Sequence, residues 1–116
     1  ADEGGAEAPV SGLRLRIRCL SNRAACYIKL GDYPKVVDDC TAAITAVRAF
    51  ERDAAVRDRS LLKLHLRRGA AYVQLARADD ARLEYRAAAA IDPSNETASI
   101  ALQALDGPPP VSGTGP

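Results

Sequence analysis

Four polar side chains are spaced as a set. Arg18 and Asn22 are four residues apart, Lys63 and Arg67 are four residues apart, and each member of the second pair follows its counterpart by 45 residues. Residues at i and i+4 share one face of an α-helix, so each pair projects from one side of its own helix. Three cations with an amide donor among them form a pocket for a carboxylate-rich ligand. The guanidinium groups can hold such a ligand by charge-assisted, bidentate hydrogen bonds. A group of this composition binds, and it offers neither a nucleophile nor a general base.

No other constellation competes with it. His65 is the single histidine; it falls where packing between paired helices is expected and has no ligand set nearby, so it reads as structural. Cys19 and Cys26 are seven residues apart, two helical turns, which does not fit a C-x-x-C metal or redox motif. Together with Cys40 they read as buried, reduced thiols, the usage of a cytosolic chain. Gly31, Gly69 and Gly107 make no phosphate loop, and no Ser/His/Asp set supports hydrolysis. Neither metal, cofactor nor enzymatic activity is expected.

Charge and composition narrow the partners further. A net charge of +1 with 4% aromatic residues gives little basis for binding nucleic acid. The preference for Arg over Lys accompanies an abundance of Ala and is not counted as a signal. No apolar run approaches the ~20 residues that span a bilayer, and no signal-peptide pattern is present. The chain has no Met and starts at Ala1, as a segment processed or cut from a longer protein would.

The elements that must position the four residues are helical. Residues 1–12 are small, acidic and punctuated by Gly and Pro, and read as a flexible tail. From Leu13, the residues Leu13, Ile17, Leu20, Ala24, Tyr27 and Leu30 recur at three- and four-residue steps, one apolar face of a helix. Arg14, Arg16, Arg18 and Arg23 fill much of the other side, and apart from Arg18 they read as a solvated face. The turn Leu30-Gly31-Asp32-Tyr33 follows, and Pro34 opens a second helix at a position where it loses no intrahelical hydrogen bond. That helix runs to about Arg48 on a stripe of Val36, Val37, Cys40, Ala43, Ile44 and Val47.

Residues 49–59 contain neither Gly nor Pro, so the second helix either runs on or breaks briefly. Ser60 is the expected cap of a third helix, from Leu61 to about Arg77, packing through Leu62, Leu66, Gly69, Tyr72, Val73 and Leu75. Asp79 is expected to cap a fourth, ending near Ile91. Pro93 stops it, and Ser94 or Asn95 caps a fifth that ends near Leu105. Residues 106–116 read as a Pro/Gly linker or tail.

The two helical pairs superpose at one offset. Ala24 matches Gly69, Tyr27 matches Tyr72, Leu30 matches Leu75, Val36 matches Ala81, Cys40 matches Tyr85 and Ala43 matches Ala88, all 45 apart. Small residues recur where helices approach closely, and larger ones where the gap needs filling. This pattern with Pro93 resembles the tetratricopeptide repeat, whose period is about 34 residues, leaving an insertion of about 11 within residues 46–60. The resemblance implies an all-α helix-turn-helix solenoid: a domain over 13–105, made of a repeat at 13–59, a repeat at 60–93 and a capping helix at 94–105. In such arrays the first helix of each unit lines a concave groove.

The runs LSNRAACYIKL and KLHLRRGAAY resemble the carboxylate-clamp subfamily of these repeats, which bind the Glu-Glu-Val-Asp tails of heat-shock 70/90 class chaperones. The resemblance assigns clamp roles to Asn22, Lys63 and Arg67; Arg18 shares their register without belonging to the clamp pattern. The upstream Lys-x-x-Gly-Asn helix of that subfamily is absent here. The run Leu20 to Cys26, the lengthened segment between the repeats, Lys63 with Arg67-Arg68-Gly69, and Ile91 to Asn95 are also similar to the C-terminal arrays of axonemal dynein assembly factors. That likeness implies a cytoplasmic co-chaperone adaptor with dynein assembly clients as partners. The alternative is a scaffold whose groove is idle and which self-associates through the apolar edge near Leu13, Leu15 and Ile17.

Overall fold

The computed structural model describes residues 10–107. They form five helices, α1 (Val10–Leu30), α2 (Tyr33–Phe50), α3 (Ala54–Gln74), α4 (Ala78–Ile91) and α5 (Glu96–Asp106). There is no strand among the described residues. Helix α1 begins three residues before Leu13, so residues 10–12 are helical where a tail was expected. The rest of that tail, residues 1–9, and residues 108–116 of the expected C-terminal linker lie outside the described residues.

Each helix folds back on its predecessor: α1 packs on α2, α2 on α3, α3 on α4 and α4 on α5, with α1 also reaching α3. The result is an all-α stack of two helix–turn–helix units closed by α5. The two hairpin turns are built alike. In the first, the Gly31 N–H donates to Ile28 O and the Asp32 N–H to Tyr27 O. In the second, the Ala76 N–H donates to Val73 O and the Arg77 N–H to Tyr72 O. Both are the paired bonds that close a helix C-terminus through a left-handed residue, Gly31 at φ 76° and Ala76 at φ 60°.

The helix starts differ from expectation in two places. Glu51 to Asp53 break the chain, and the Asp53 carboxylate accepts the Val56 N–H at 3.1 Å, so Asp53 caps α3 and Ser60 lies inside it. Helix α4 starts at Ala78, and Asp79 and Asp80 sit in its first turn, where negative charge favours the positive helix end. Asn95 caps α5 by accepting the Ala98 N–H at 2.9 Å. The residues beyond a two-helix repeat of ordinary length are absorbed by lengthening α2 and α3, leaving a tight link between them.

The core is split by α3. Ala24, Val36, Cys40, Ala43, Ile44 and Val47 of the first hairpin pack with Leu61, Leu64 and Ala71 on one side of α3. On its other side, Leu62, Leu66 and Tyr72 meet Ala81, Tyr85, Ala88 and Ala98. Gly69 sits at the α3–α4 crossing, where a Cβ would lie 3.0 Å from the Tyr85 ring. Val73 is exposed rather than packed, and Leu30, expected on the apolar face of α1, is 77% exposed beside the turn. Cys40 is buried as expected, and burial pushes its thiol up to about 11. Cys19 and Cys26, expected in the core, are exposed: they lie on the side of α1 opposite Ile17 and Ala24, away from both α2 and α3.

Candidate functional site

Helices α1 and α3 run side by side and leave a cleft of about 320 Å³ between their N-terminal halves. Arg18 and Lys63 line it together, over an apolar floor of Ile17, Val56 and Leu64. Arg67 projects into the α1–α3 seam one turn beyond Lys63, where its Nη1 donates to the backbone oxygen of Ser21 at 2.7 Å and to the Ser21 hydroxyl. Ser21 is itself buried, so it holds Arg67 in a fixed place against α1. Asn22 is exposed on α1 outside the cleft lining and makes no hydrogen bond among the described residues. The structure thus brings Arg18, Lys63 and Arg67 to one seam and leaves Asn22 outside the cleft lining.

Two further cations belong to the cleft. Arg14 and Arg59 line it one helical turn before Arg18 and Lys63. The set is therefore a pair of ladders, Arg14-Arg18-Asn22 on α1 and Arg59-Lys63-Arg67 on α3, with rungs four residues apart and the ladders 45 apart. Stepping the i, i+4 spacing back once from Arg18 and Lys63 would have found both.

Their electrostatic states differ. The Arg14 guanidinium makes a bidentate pair with Glu51, Nε to Oε1 and Nη2 to Oε2, both at 2.8 Å. Glu51 also accepts the Asp53 N–H at 3.1 Å. The hydrogen bond from Arg14, and then the one from Asp53, hold the Glu51 carboxyl down to about 2. The neutralised Arg14–Glu51 pair ties the α2–α3 link to α1 and fixes where α3 starts. Arg18, Arg59 and Lys63 have no acidic partner among the described residues. An anion entering the cleft therefore meets three charges that are not already satisfied there, above a surface that sheds water.

Behind the cleft lies a second polar system. Glu84 of α4 accepts from His65 Nδ1 at 2.8 Å and pairs with Arg68 Nη2 at 2.9 Å. Arg68 Nη1 also donates to Thr41 Oγ1, and Arg48 Nη2 lies 3.3 Å from His65 Nε2. With Nδ1–H donating to the carboxylate, Nε2 is the acceptor for Arg48, which assigns the neutral tautomer by its partners. Burial works against ionisation of Glu84, but the bonds from His65 and Arg68 outweigh it and keep the carboxyl below its usual value. His65 is thus structural, bolting α2, α3 and α4 together beneath the residues that face the cleft. No group of three or more metal-ligating side chains occurs among the described residues. No helix among them is long and apolar enough to cross a membrane.

Comparison with known proteins gives the following. No family model matches the chain. Dynein axonemal assembly factor 4 of Pongo pygmaeus is 37% identical over 79 residues, which cover 68% of this chain and 18% of that protein. The Mus musculus protein of the same name is 34% identical over 88 residues, covering 72% of this chain and 20% of that one. The chain spans about a fifth of the length of the curated relatives it matches. Among solved structures, the first TPR of Spaghetti (RPAP3), bound to the HSP90 peptide SRMEEVD, has a TM-score of 0.40 at 22% identity, over 79% of this chain and 91% of that one. Two helical hairpins in one 45-residue register, stacked in order and closed by a fifth helix, give the chain a tetratricopeptide-type helical-repeat fold, and over about two thirds of its length it is similar to part of dynein axonemal assembly factor 4.

Proposed function

We propose that the chain is a protein-interaction module whose α1–α3 groove docks the acidic C-terminal tail of a heat-shock 70/90 class chaperone. The observation that carries this reading is the convergence of Arg18, Lys63 and Arg67 on one seam between the two first helices; Asn22, four residues after Arg18 on α1, is exposed outside the cleft lining and joins the clamp in this proposal. Lys63 supplies a mobile point charge, and Arg67, held by Ser21, supplies a fixed planar donor set. Such a pair reads a terminal carboxylate together with its neighbouring acidic groups. The likeness to a dynein assembly factor extends the reading to a cytoplasmic co-chaperone that brings chaperones to dynein assembly clients. The role is one of binding rather than catalysis.

The test is titration of a labelled peptide ending in Glu-Glu-Val-Asp at two salt concentrations. Binding is expected to weaken with salt and to be lost in Lys63→Ala or Arg67→Ala. Equal binding of a peptide amidated at its C-terminus would overturn the reading, because the terminal carboxylate is the group the clamp recognises.

A second reading is favoured by the outer face of α1. Arg16, Cys19 and Cys26 are exposed there, whereas their counterparts 45 residues on, Leu61, Leu64 and Ala71, are buried against the first hairpin. Leu15, 54% exposed, borders the same face. Stacking of that face on a second copy makes the module a self-associating scaffold. Sedimentation velocity over a range of concentrations tests this, with Cys26→Glu expected to shift any dimer to monomer; a strict monomer at all concentrations excludes it.

A further inference from the structure

The segment that lengthens the link between the repeats does more than join them. It supplies Val56, Arg59 and Ser60, one wall of the α1–α3 cleft, and it is held in place where α3 begins. Asp53 caps it, while Glu51, bound by Arg14 and by the Asp53 N–H, staples its start to α1. Arg14 and Arg59 form the same rung of the two ladders, but Arg14 is neutralised by Glu51 and Arg59 has no acidic partner among the described residues. One cation at this rung is thus left to meet a ligand.

The spacing says which part of a ligand it meets. Successive rungs, four residues of helix apart, are about 6 Å from one another. Two residues of an extended peptide cover about 6.6 Å and return the side chain to the same face. A peptide whose C-terminal residue sits at the Lys63 rung, and which runs back along α3 toward its start, therefore brings the side chain two positions earlier to the level of Arg59.

We propose that Arg59, on the wall built by the inserted segment, is a specificity-determining residue that reads an acidic side chain two residues before the C-terminus of the docked peptide. The proposal rests on the reading of the groove as a carboxylate clamp and adds a subsite to it. The aliphatic floor of Ile17, Val56 and Leu64 excludes water from beneath the pair and strengthens its attraction. Tails that share a terminal carboxylate but differ at the third residue from the end are thereby told apart.

A double-mutant cycle between protein and peptide tests it, with folding checked by circular dichroism. Two peptides are titrated, one ending Glu-Glu-Val-Asp and one ending Glu-Gln-Val-Asp, against the unaltered chain and Arg59→Gln. The charge-bearing peptide is expected to lose about threefold to tenfold in affinity in Arg59→Gln, and the difference between the peptides is expected to vanish. An equal loss for both peptides means a general field effect and overturns the subsite. Wild-type binding of both peptides by Arg59→Gln, with binding still abolished by Lys63→Ala, overturns the subsite and leaves the clamp standing. If Lys63→Ala also binds as the unaltered chain does, the clamp reading itself falls.

Discussion

In the first hairpin Arg23 crosses from α1 to grip Asp39 of α2 through two bonds of 2.8 and 2.7 Å. In the second, Arg68 crosses from α3 to Glu84 of α4 at 2.9 Å. Both members of the second pair lie 45 residues after those of the first, so this is one ion pair written twice. Its surroundings differ. The Arg23 side chain is 59% exposed, whereas that of Arg68 is 17% exposed, because α2 lies over the second seam and contributes Thr41 and Arg48. No described element lies over the first seam in the same way. The position of Leu20 in the first unit is taken by His65 in the second, and the histidine completes the covered network. A repeated pair is thus a surface clasp at the end of the stack and a buried bolt in its interior.

Several substitutions sharpen or break that contrast. Replacing Glu84 with Ala removes the shared acceptor of His65 and Arg68 and strands a buried cation, at a cost of about 3–5 kcal/mol. Asp39→Ala leaves an Arg that water can solvate and is expected to cost about 1 kcal/mol. Denaturant midpoints of the two variants measure the gap, and equal losses would erase the distinction between clasp and bolt.

The helix crossings differ in the same direction. Gly69 faces Tyr85, where the first unit places Ala24 and the smaller Cys40. Gly69→Ala drives a methyl against the ring and against Glu84 Cβ, and is expected to destabilise by about 2 kcal/mol. A thermal unfolding curve unchanged by that substitution would show that α3 and α4 can separate freely.

The turns offer a smaller effect of opposite sign. Gly31 and Ala76 occupy the same left-handed position, and only the glycine does so without a steric penalty. Ala76→Gly is expected to stabilise by about 0.5–1 kcal/mol and Gly31→Ala to destabilise by about 1 kcal/mol. Urea titration of both reads the pair.

The last difference, at the Glu51 pair, is read by pH. Its folded carboxyl lies near 2, below the unfolded value of 4.5. A depressed carboxyl stabilises fully above the unfolded value, and this contribution fades as pH falls from 4.5 toward 2. Glu51→Gln is therefore expected to flatten the acid limb of the stability curve in that window. An acid limb of unaltered slope would place the proton uptake elsewhere.

Much of this was legible before folding was considered. Helix identity follows from the three- and four-residue recurrence of Ile17, Leu20, Ala24 and Tyr27, and the first hairpin turn from Gly31 with Pro34; the second turn, at Leu75 to Arg77, falls inside the stretch expected to be α3, because Ala76 takes the left-handed position without a glycine to mark it. The choice of Asp53 over Ser60 as the cap of α3 was less visible, since residues 54–59 permit helix without demanding it. Arg18, Lys63 and Arg67 are legible from spacing, whereas Arg14 reads as part of a solvated face and Arg59 only as part of the segment 49–59 that permits helix. Only the packing of α1 beside α3 shows that all five approach one seam.

The residue pattern by itself determined that the chain is helical, where the first hairpin turns and that the second hairpin repeats the first, because helix periodicity and turn chemistry depend on contacts within about one turn of chain. Tertiary structure alone decided that Cys19 and Cys26 face outward while Leu64 and Ala71 face inward, that His65 bonds Glu84, and that Glu51 silences Arg14 but leaves Arg59 open. Burial and charge pairing belong to whichever helix lies across the seam, and that neighbour is distant in sequence.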